Sequence, residues 1–166
     1  NVASCWMARH EMDRDFVLLN GDVVFEPAVA RTALVGARGP ITVTINRPSE
    51  YDEDDMKVEL GGDRVLAIGK DLPMDRVGAE SIGMMTFRGE GPRLMREAID
   101  WAMRTPDAQK QWYLSLIDTL AERGVVYTQA ISPQGWAEGD SVADLEKASA
   151  AGAPWLAASA LPSVPA

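Results

Sequence analysis

The segment DFVLLNGDVVFEP, residues 15–27, decides the fold predicted for this chain. Its apolar run at 16–19 is typical of a buried strand, and an Asn-Gly-Asp tripeptide at 20–22 interrupts that run. Two valines and a phenylalanine follow, and Pro27 suits the first turn of a helix that extends to about Val35. The segment therefore predicts a strand, a sharp turn, a short return to the same sheet, and a helix.

Strands and helices alternate along the rest of the chain. Further strands are predicted at 41–46, 81–87 and 125–131, with a hairpin at 56–69, a short extended piece at 135–140, and helices at 2–12, 91–104, 107–123 and from Ser141 to about Ala151. Such alternation is typical of the α/β class, and an inserted hairpin around Gly-Gly-Asp predicts a mixed sheet.

The composition is that of one globular domain. Of 166 residues, 46% are hydrophobic and 25% are charged, which is enough apolar material for a sizeable core. We assign residues 1–150 to the domain and 151–166 to an Ala/Pro-rich tail that lacks periodicity.

Charge and hydropathy exclude several function classes. The formal net charge of −9 disfavours binding to nucleic-acid phosphates. No apolar run approaches the roughly 20 residues that a membrane span requires. The single cysteine excludes an internal disulfide and fits a cytoplasmic location.

Asp22 is the first candidate functional residue. In open α/β sheets, ligands bind beyond the carboxyl ends of strands, and Asp22 directly follows such an end. A carboxylate there can hold a divalent cation, which in turn binds nucleotide phosphates. The alternative is that Asn-Gly-Asp is ordinary turn chemistry, and the tripeptide alone does not decide between them.

A second acidic strand end lies in GWAEGDSVADLEKA, residues 135–148. Glu138 and Asp140 are two positions apart, so in a strand they face the same side. Alternatively, Asp140 only complements the dipole of the helix that Ser141 begins. Two acidic strand ends in one α/β chain nevertheless match the needs of Mg²⁺-dependent phosphoryl transfer.

Several motifs occur in an order known from one enzyme family. They are VLLNGDVVFEP, DEDDMKVEL, RVLAIGKDL, ESIGMMTF and WAEGDSVADLEKA. In these motifs residues 1–148 resemble bacterial nucleotidyltransferases of the phosphocholine cytidylyltransferase branch, with related inositol- and aminoalkylphosphonate-type enzymes. The resemblance implies a Rossmann-like mixed sheet of the nucleotide-diphospho-sugar transferase type. It also implies a reaction of CTP, or another nucleoside triphosphate, with a phosphorylated small alcohol that releases pyrophosphate.

The resemblance also implies roles for individual residues. Asp22 and Asp140 match the two metal aspartates, although Gly139 departs from the usual Glu-Ile-Asp-Thr pattern. Glu80 matches a residue that lines the acceptor pocket. Lys57 or Lys70 would neutralise the acceptor phosphate, with Lys70 favoured because it ends a strand; a solvated role is the alternative for both.

The acidic run at 53–55 has two interpretations. It is either a solvated loop or, if the acceptor carries an amine, a surface that favours a cation. In the second case Tyr51, Trp112 and Trp136 are the expected aromatic partners, beside Glu138.

One expected element is missing from the sequence. The family begins with a glycine-rich, phosphate-binding loop that carries an Arg and is followed by a Lys, whereas this sequence opens at Asn1 in a predicted helix. We expect N-terminal truncation, and we expect the chain alone to be inactive or nearly so.

Three alternatives stay open at this point. The chain could be a sugar-1-phosphate nucleotidyltransferase, or a glycosyltransferase with an aspartate-based metal site, which Val24 mildly disfavours because Asp-x-Asp is more usual there. It could also be a non-catalytic binding or assembly domain that retains the fold. Homo-oligomer formation is left open.

Overall fold

A computed structural model describes residues 2–106, 110–131, 135–139, 149–150, 152 and 154–155. The helices are α1 (Val2–Met7), α2 (Pro27–Gly36), α3 (Gly91–Ala102) and α4 (Tyr113–Glu122), with short 3₁₀ turns at Arg9–Glu11 and Met74–Arg76. The strands are β1 (Phe16–Leu19), β2 (Val23–Phe25), β3 (Ile41–Asn46), β4 (Lys57–Gly61), β5 (Arg64–Gly69), β6 (Ala79–Phe87), β7 (Val126–Ala130) and β8 (Trp136–Glu138). Most of the helix predicted from Ser141, and most of the predicted tail, lie outside the described residues.

The main sheet is mixed, as predicted. Its six strands within the described residues run in the order β1-β6-β3-β7-β5-β4, and β4 also pairs with the start of β6. Strands β3 and β7 are parallel, and the other pairs in the described part of the chain are antiparallel. The predicted hairpin forms β4 and β5.

Helices cover both faces of this sheet. The larger hydrophobic cluster joins β3 and β6 to α1, α3 and α4, and the smaller cluster joins β6 to α2 through Val29 and Ala33. All nine residues of β6 are buried because both of its faces are covered. Among the residues that the structure describes, no helix is both long and apolar enough to cross a membrane.

The expected return of residues 23–25 to the main sheet is wrong. Strand β2 pairs instead with β8 in a separate antiparallel sheet, with Val23 opposite Glu138 and Phe25 opposite Trp136. The reason is that other strands already pair with both edges of β6. One edge of β6 pairs with β3 and the other is shared between β1 and β4, so β2 cannot continue along β6 beyond the end of β1.

Two helix boundaries also differ from the prediction. The first helix ends at Met7 rather than residue 12, and the chain continues as the 3₁₀ turn Arg9–Glu11, where the Arg9 and His10 side chains contact the carbonyls of Trp6 and Met7. The helix predicted from residue 107 begins at Tyr113, after an extended Trp112.

Candidate functional site

A cavity of about 250 Å³ lies where β1 ends and α4 begins. Four of the predicted site residues line it together: Asp22, Lys70, Trp112 and Glu138. They come from four separate parts of the chain, which the fold brings to one place. Its wall also includes the side chains of Asn20, Asp54 and Tyr113.

Asp22 stands at the end of the first strand, where the sequence places it. The pairing of β1 with β6 continues for one hydrogen bond beyond Leu19, from the Asn20 N–H to the Gly83 carbonyl at 2.9 Å. The chain then turns at Gly21. The Asp22 carbonyl accepts a hydrogen bond of 2.9 Å from the Gly139 N–H, so main-chain contacts hold the turn on both sides.

The second acidic segment adjoins the first. Glu138 lies opposite Val23 in the β2–β8 ribbon, and it lines the same cavity as Asp22. Asp140 lies outside the described residues. Its chain neighbour Gly139 is nevertheless the donor to Asp22, so the structure brings the two predicted segments together.

The donor atoms of this cavity suit a hard cation. Within the described ranges, no group of three or more His, Cys, Asp and Glu side chains is arranged to hold a metal. Mg²⁺, however, commonly binds one or two protein carboxylates and completes its shell with water and substrate phosphate oxygens. Asp22 and Glu138 supply carboxylate oxygens of the type that Mg²⁺ prefers, so the residues present fit the predicted ion.

Lys70 presents an accessible ammonium group to the cavity. Its Nζ lies 3.9 Å from an Asp54 carboxylate oxygen and 5.4 Å from the centre of the Trp112 ring. Because the Lys70 side chain is 40% exposed, an anionic ligand can reach it. This environment is consistent with the predicted contact to an acceptor phosphate, which stays a prediction.

Lys57 occupies a different environment from the one predicted. The residue is only 3% exposed and is absent from the cavity lining. Its Nζ donates to the carbonyls of Glu53 at 2.6 Å and Lys70 at 2.8 Å. Lys57 therefore ties two segments of the cavity wall to β4, and the structure gives no support for a contact between it and an acceptor phosphate.

Glu80 is a buried carboxyl group beside the cavity rather than part of its lining. Its Oε1 accepts a hydrogen bond of 2.8 Å from the Asn46 amide. Burial raises the pKa of Glu80 to about 6, and the nearby charges of Asp55 and Glu138 act in the same direction. Burial also raises the pKa of Tyr51, and the charge of Glu80 adds to that effect. Tyr51, Asp55 and Glu80 thus form one neighbourhood.

Trp136 packs away from the cavity. It lies opposite Phe25 in the β2–β8 ribbon and contacts the smaller hydrophobic cluster. The expectation that Trp136 serves as an aromatic partner for a ligand finds no support in this position.

Tyr113 also lines the cavity, although the sequence analysis assigned it no role in the site. Its hydroxyl donates a hydrogen bond of 2.8 Å to the Asn20 side-chain carbonyl. Burial raises the pKa of Tyr113 strongly, which keeps this hydroxyl protonated as a donor. The sequence feature that could have drawn attention to this part of the site is Gly83. An isolated glycine within a strand often marks a bulge or the close approach of another segment.

Comparison with solved structures tests the predicted fold. An inositol-1-phosphate CTP transferase from T. maritima matches at a TM-score of 0.68 and 19% identity, over 87% of this chain and 57% of its own. A CTP:phosphocholine cytidylyltransferase from Streptococcus pneumoniae matches at 0.67 and 16% identity, over 89% and 61%. A protein named as a glucose-1-phosphate thymidylyltransferase from Bacillus anthracis matches at 0.69 and 13% identity, over 90% and 59%.

The chain has the nucleotidyltransferase fold. The predicted fold class is thereby confirmed, and identities of 13–19% extend the likeness no further than the fold. The chain spans about three fifths of the length of these nucleotidyltransferases. No family profile and no curated protein sequence matches it.

Proposed function

We propose that this chain is the metal-binding and acceptor-binding portion of a nucleotidyltransferase. The reaction transfers a nucleotidyl group, with CTP favoured as donor, to a phosphorylated small alcohol and releases pyrophosphate. The observation that carries the proposal is the meeting of Asp22, Glu138 and Lys70 in one cavity of a nucleotidyltransferase fold.

In this proposal Asp22 and Asp140 hold Mg²⁺, with Glu138 beside them. The bound ion supplies positive charge for the triphosphate and for the departing pyrophosphate. The turn holds the main chain of Asp22 in place. Less conformational entropy is therefore lost at Asp22 when the ion binds.

The cavity then acts mainly by positioning and charge neutralisation. An oxygen of the acceptor's phosphate attacks the α-phosphorus of the nucleotide in line with the bond that breaks, and pyrophosphate leaves. Lys70 neutralises the acceptor phosphate and thereby brings the two anionic substrates together. This type of reaction needs little covalent chemistry from the protein.

The surroundings of the cavity favour an acceptor that carries a cation, such as phosphocholine. Asp54 lines the cavity, and Asp55 and Glu80 lie close by. The Trp112 ring already stands within cation–π distance of an ammonium group, that of Lys70. A sugar-1-phosphate acceptor is the second candidate, supported by the match to the protein named as a glucose-1-phosphate thymidylyltransferase.

A panel assay tests the proposal. Pyrophosphate release is measured with each nucleoside triphosphate against phosphocholine, inositol phosphate and glucose 1-phosphate. We expect Asp22→Ala to lower kcat by at least about 100-fold because charge neutralisation is lost. The control is Asp100→Ala, which removes an exposed carboxylate on α3. Unchanged turnover in Asp22→Ala would show that the metal assignment is wrong.

The assay is run on this chain and on a longer protein that includes the sequence encoded upstream of Asn1. If a glycine-rich, Arg-containing segment supplies the triphosphate site, activity is expected only in the longer protein. A non-catalytic binding or assembly domain is the remaining alternative. It would bind a phosphorylated alcohol without releasing pyrophosphate in either form.

A further inference from the structure

A polar link joins the start of α4 to the turn that follows β1. Tyr113 is the first residue of α4, and its hydroxyl hydrogen-bonds the Asn20 side chain at 2.8 Å across 93 sequence positions. Tyr113 is buried, and both residues line the cavity. The link therefore connects the helix directly with the segment that carries Asp22.

Strand β6 constrains the same asparagine from a second side. The Asn20 N–H binds the Gly83 carbonyl at 2.9 Å, and the Asn20 side chain lies flat against Gly83. A Cβ atom at position 83 would stand 2.7 Å from the Asn20 amide nitrogen, and Gly83 has a φ of +72°. Only glycine is compatible with both features.

Gly83 sits in an irregular part of the sheet. The pairing of β3 with β6 passes from Val43 opposite Met85 to Ile45 opposite Ser81, so β6 contains extra residues between these pairs. Such a bulge bends a strand and redirects its main chain. Here the Gly83 carbonyl accepts from Asn20, the residue after β1, in continuation of the β1–β6 register.

The middle of the turn faces open space at Gly21. A Cβ atom added at Gly21 would meet nothing within 4 Å. The main-chain contacts at its two ends are those of Asn20 with Gly83 and of Asp22 with Gly139. The place of the Asp22 carboxylate therefore depends on how firmly Asn20 is held.

We propose that Tyr113 is a positioning residue that, through Asn20 and Gly83, fixes the carboxylate of Asp22 in the cavity. The function of Asp22 as a metal ligand rests on the proposed function, whereas the geometric coupling does not. Residues that hold a metal-binding side chain in place typically raise the affinity of the site for the metal. They do so because less side-chain motion has to be suppressed when the metal binds.

Tyr113→Phe tests the coupling without metal. The substitution keeps the ring and removes the hydroxyl, and amide hydrogen exchange is measured by NMR. The Gly139 amide, which donates to the Asp22 carbonyl, is expected to exchange about 3- to 10-fold faster, since one hydrogen bond holding the turn is lost. Amides at the centre of β3 are expected to keep their rates. Asn20→Ala removes the same bond from the other side and should give the same pattern.

Thr42→Val is the matched control. It also removes a buried hydroxyl, which donates to the Arg38 carbonyl at 2.6 Å and accepts from the Arg38 N–H at 2.9 Å. Thr42 lies near the start of β3, away from the cavity, and the exchange of the Gly139 amide is expected to stay unchanged. The exchange rate of the Gly139 amide in Thr42→Val distinguishes a specific coupling between Tyr113 and the Asp22 turn from a general loss of stability.

Titration with Mn²⁺ alone, followed by electron paramagnetic resonance, measures the consequence for metal binding. Asp22→Asn is expected to abolish binding at this site, and Tyr113→Phe to weaken it about 3- to 10-fold. Thr42→Val is expected to bind as the wild type does. The double variant of Asn20→Ala with Tyr113→Phe should lose little more than either single variant, because both remove one interaction.

Two results would contradict the roles proposed for Tyr113 and Asp22. Wild-type exchange at Gly139 in Tyr113→Phe shows that the positioning role is wrong, whatever the metal result. Mn²⁺ binding that survives Asp22→Asn shows that the metal assignment in the proposed function is wrong. In that case the exchange data alone still support or overturn the coupling between Tyr113 and the Asp22 turn.

Discussion

At the scale of single residues, two lysines with similar sequence contexts have different environments. Lys57 begins one short apolar strand and Lys70 follows the end of another, and the family resemblance implied that one or the other contacts an acceptor phosphate. Lys70 points its ammonium group into an open cavity, whereas Lys57 donates to two main-chain carbonyls inside the protein. Burial decided which of the two cations is available to a ligand.

Lys57→Met should therefore lower stability rather than ligand affinity. The carbonyls of Glu53 and Lys70 would each lose a charged donor, and we expect a loss of about 1–3 kcal/mol in the free energy of unfolding. Chemical denaturation measures it, with the more exposed Lys70→Met as control, expected within about 0.5 kcal/mol of wild type. Wild-type stability of Lys57→Met would contradict the structural role.

Glu80 makes stability depend on pH. Its pKa of about 6 in the folded protein lies above the ordinary 4.5, so folding favours the protonated carboxyl group. The stabilisation is fully present below about pH 4.5 and is lost as the pH rises through 6. A shift of this size corresponds to roughly 2 kcal/mol.

Glu80→Gln should remove this dependence because glutamine resembles the protonated form and still accepts from Asn46. We expect Glu80→Gln to be more stable than wild type by up to about 2 kcal/mol at pH 7 and equal to it near pH 4. Thermal unfolding across pH 4–8 measures the difference, with the exposed Glu50→Gln as control for the loss of one negative charge. A difference that does not change with pH would show that Glu80 ionises normally.

At the scale of secondary structure elements, local signals located strands well but did not identify their partners. The β4–β5 hairpin was predictable because its two strands are joined by a short Gly-Gly-Asp turn. The pairing of β2 with β8 was not, since more than one hundred positions separate them and the choice depends on which edges of β6 are occupied. The β1–β6 pairing likewise depends on which part of the longer strand, β6, is not already paired with β4.

The packing of α3 on the sheet depends on its first residue. A Cβ atom at Gly91 would lie 2.0 Å from the Pro40 carbonyl oxygen, which is main chain and cannot move aside easily. We expect Gly91→Ala to cost about 1–3 kcal/mol or to displace the start of α3. Denaturation measures the cost, with Gly69→Ala as control, because nothing lies within 4 Å of a Cβ there. Equal stability of the two variants would contradict this close approach.

At the scale of the whole molecule, a chain with a net charge of −9 surrounds a cavity proposed to receive two anionic substrates. The overall charge repels such substrates, so local cations have to offset it. In the described part of the cavity that cation is Lys70, and a divalent ion held as proposed by Asp22 and Asp140 would add to it. Whether the protein forms homo-oligomers stays a prediction.

The sequence by itself determined the α/β class, the mixed sheet and the strand end at Asp22. These follow from local periodicity and turn chemistry, and their physical causes lie within a few residues of each position. The motif order added the nucleotidyltransferase resemblance, and the fold confirmed it at the level of architecture.

Only the tertiary structure decided which polar residues share the cavity. It separated Lys70 from Lys57, moved Trp136 into the apolar packing, and brought Tyr113 to Asn20. Solvent exposure and hydrogen-bond partners come from segments far apart in the chain, and no local pattern records them. Asp22 is thus visible in the sequence, whereas what holds it in place is visible only in the fold.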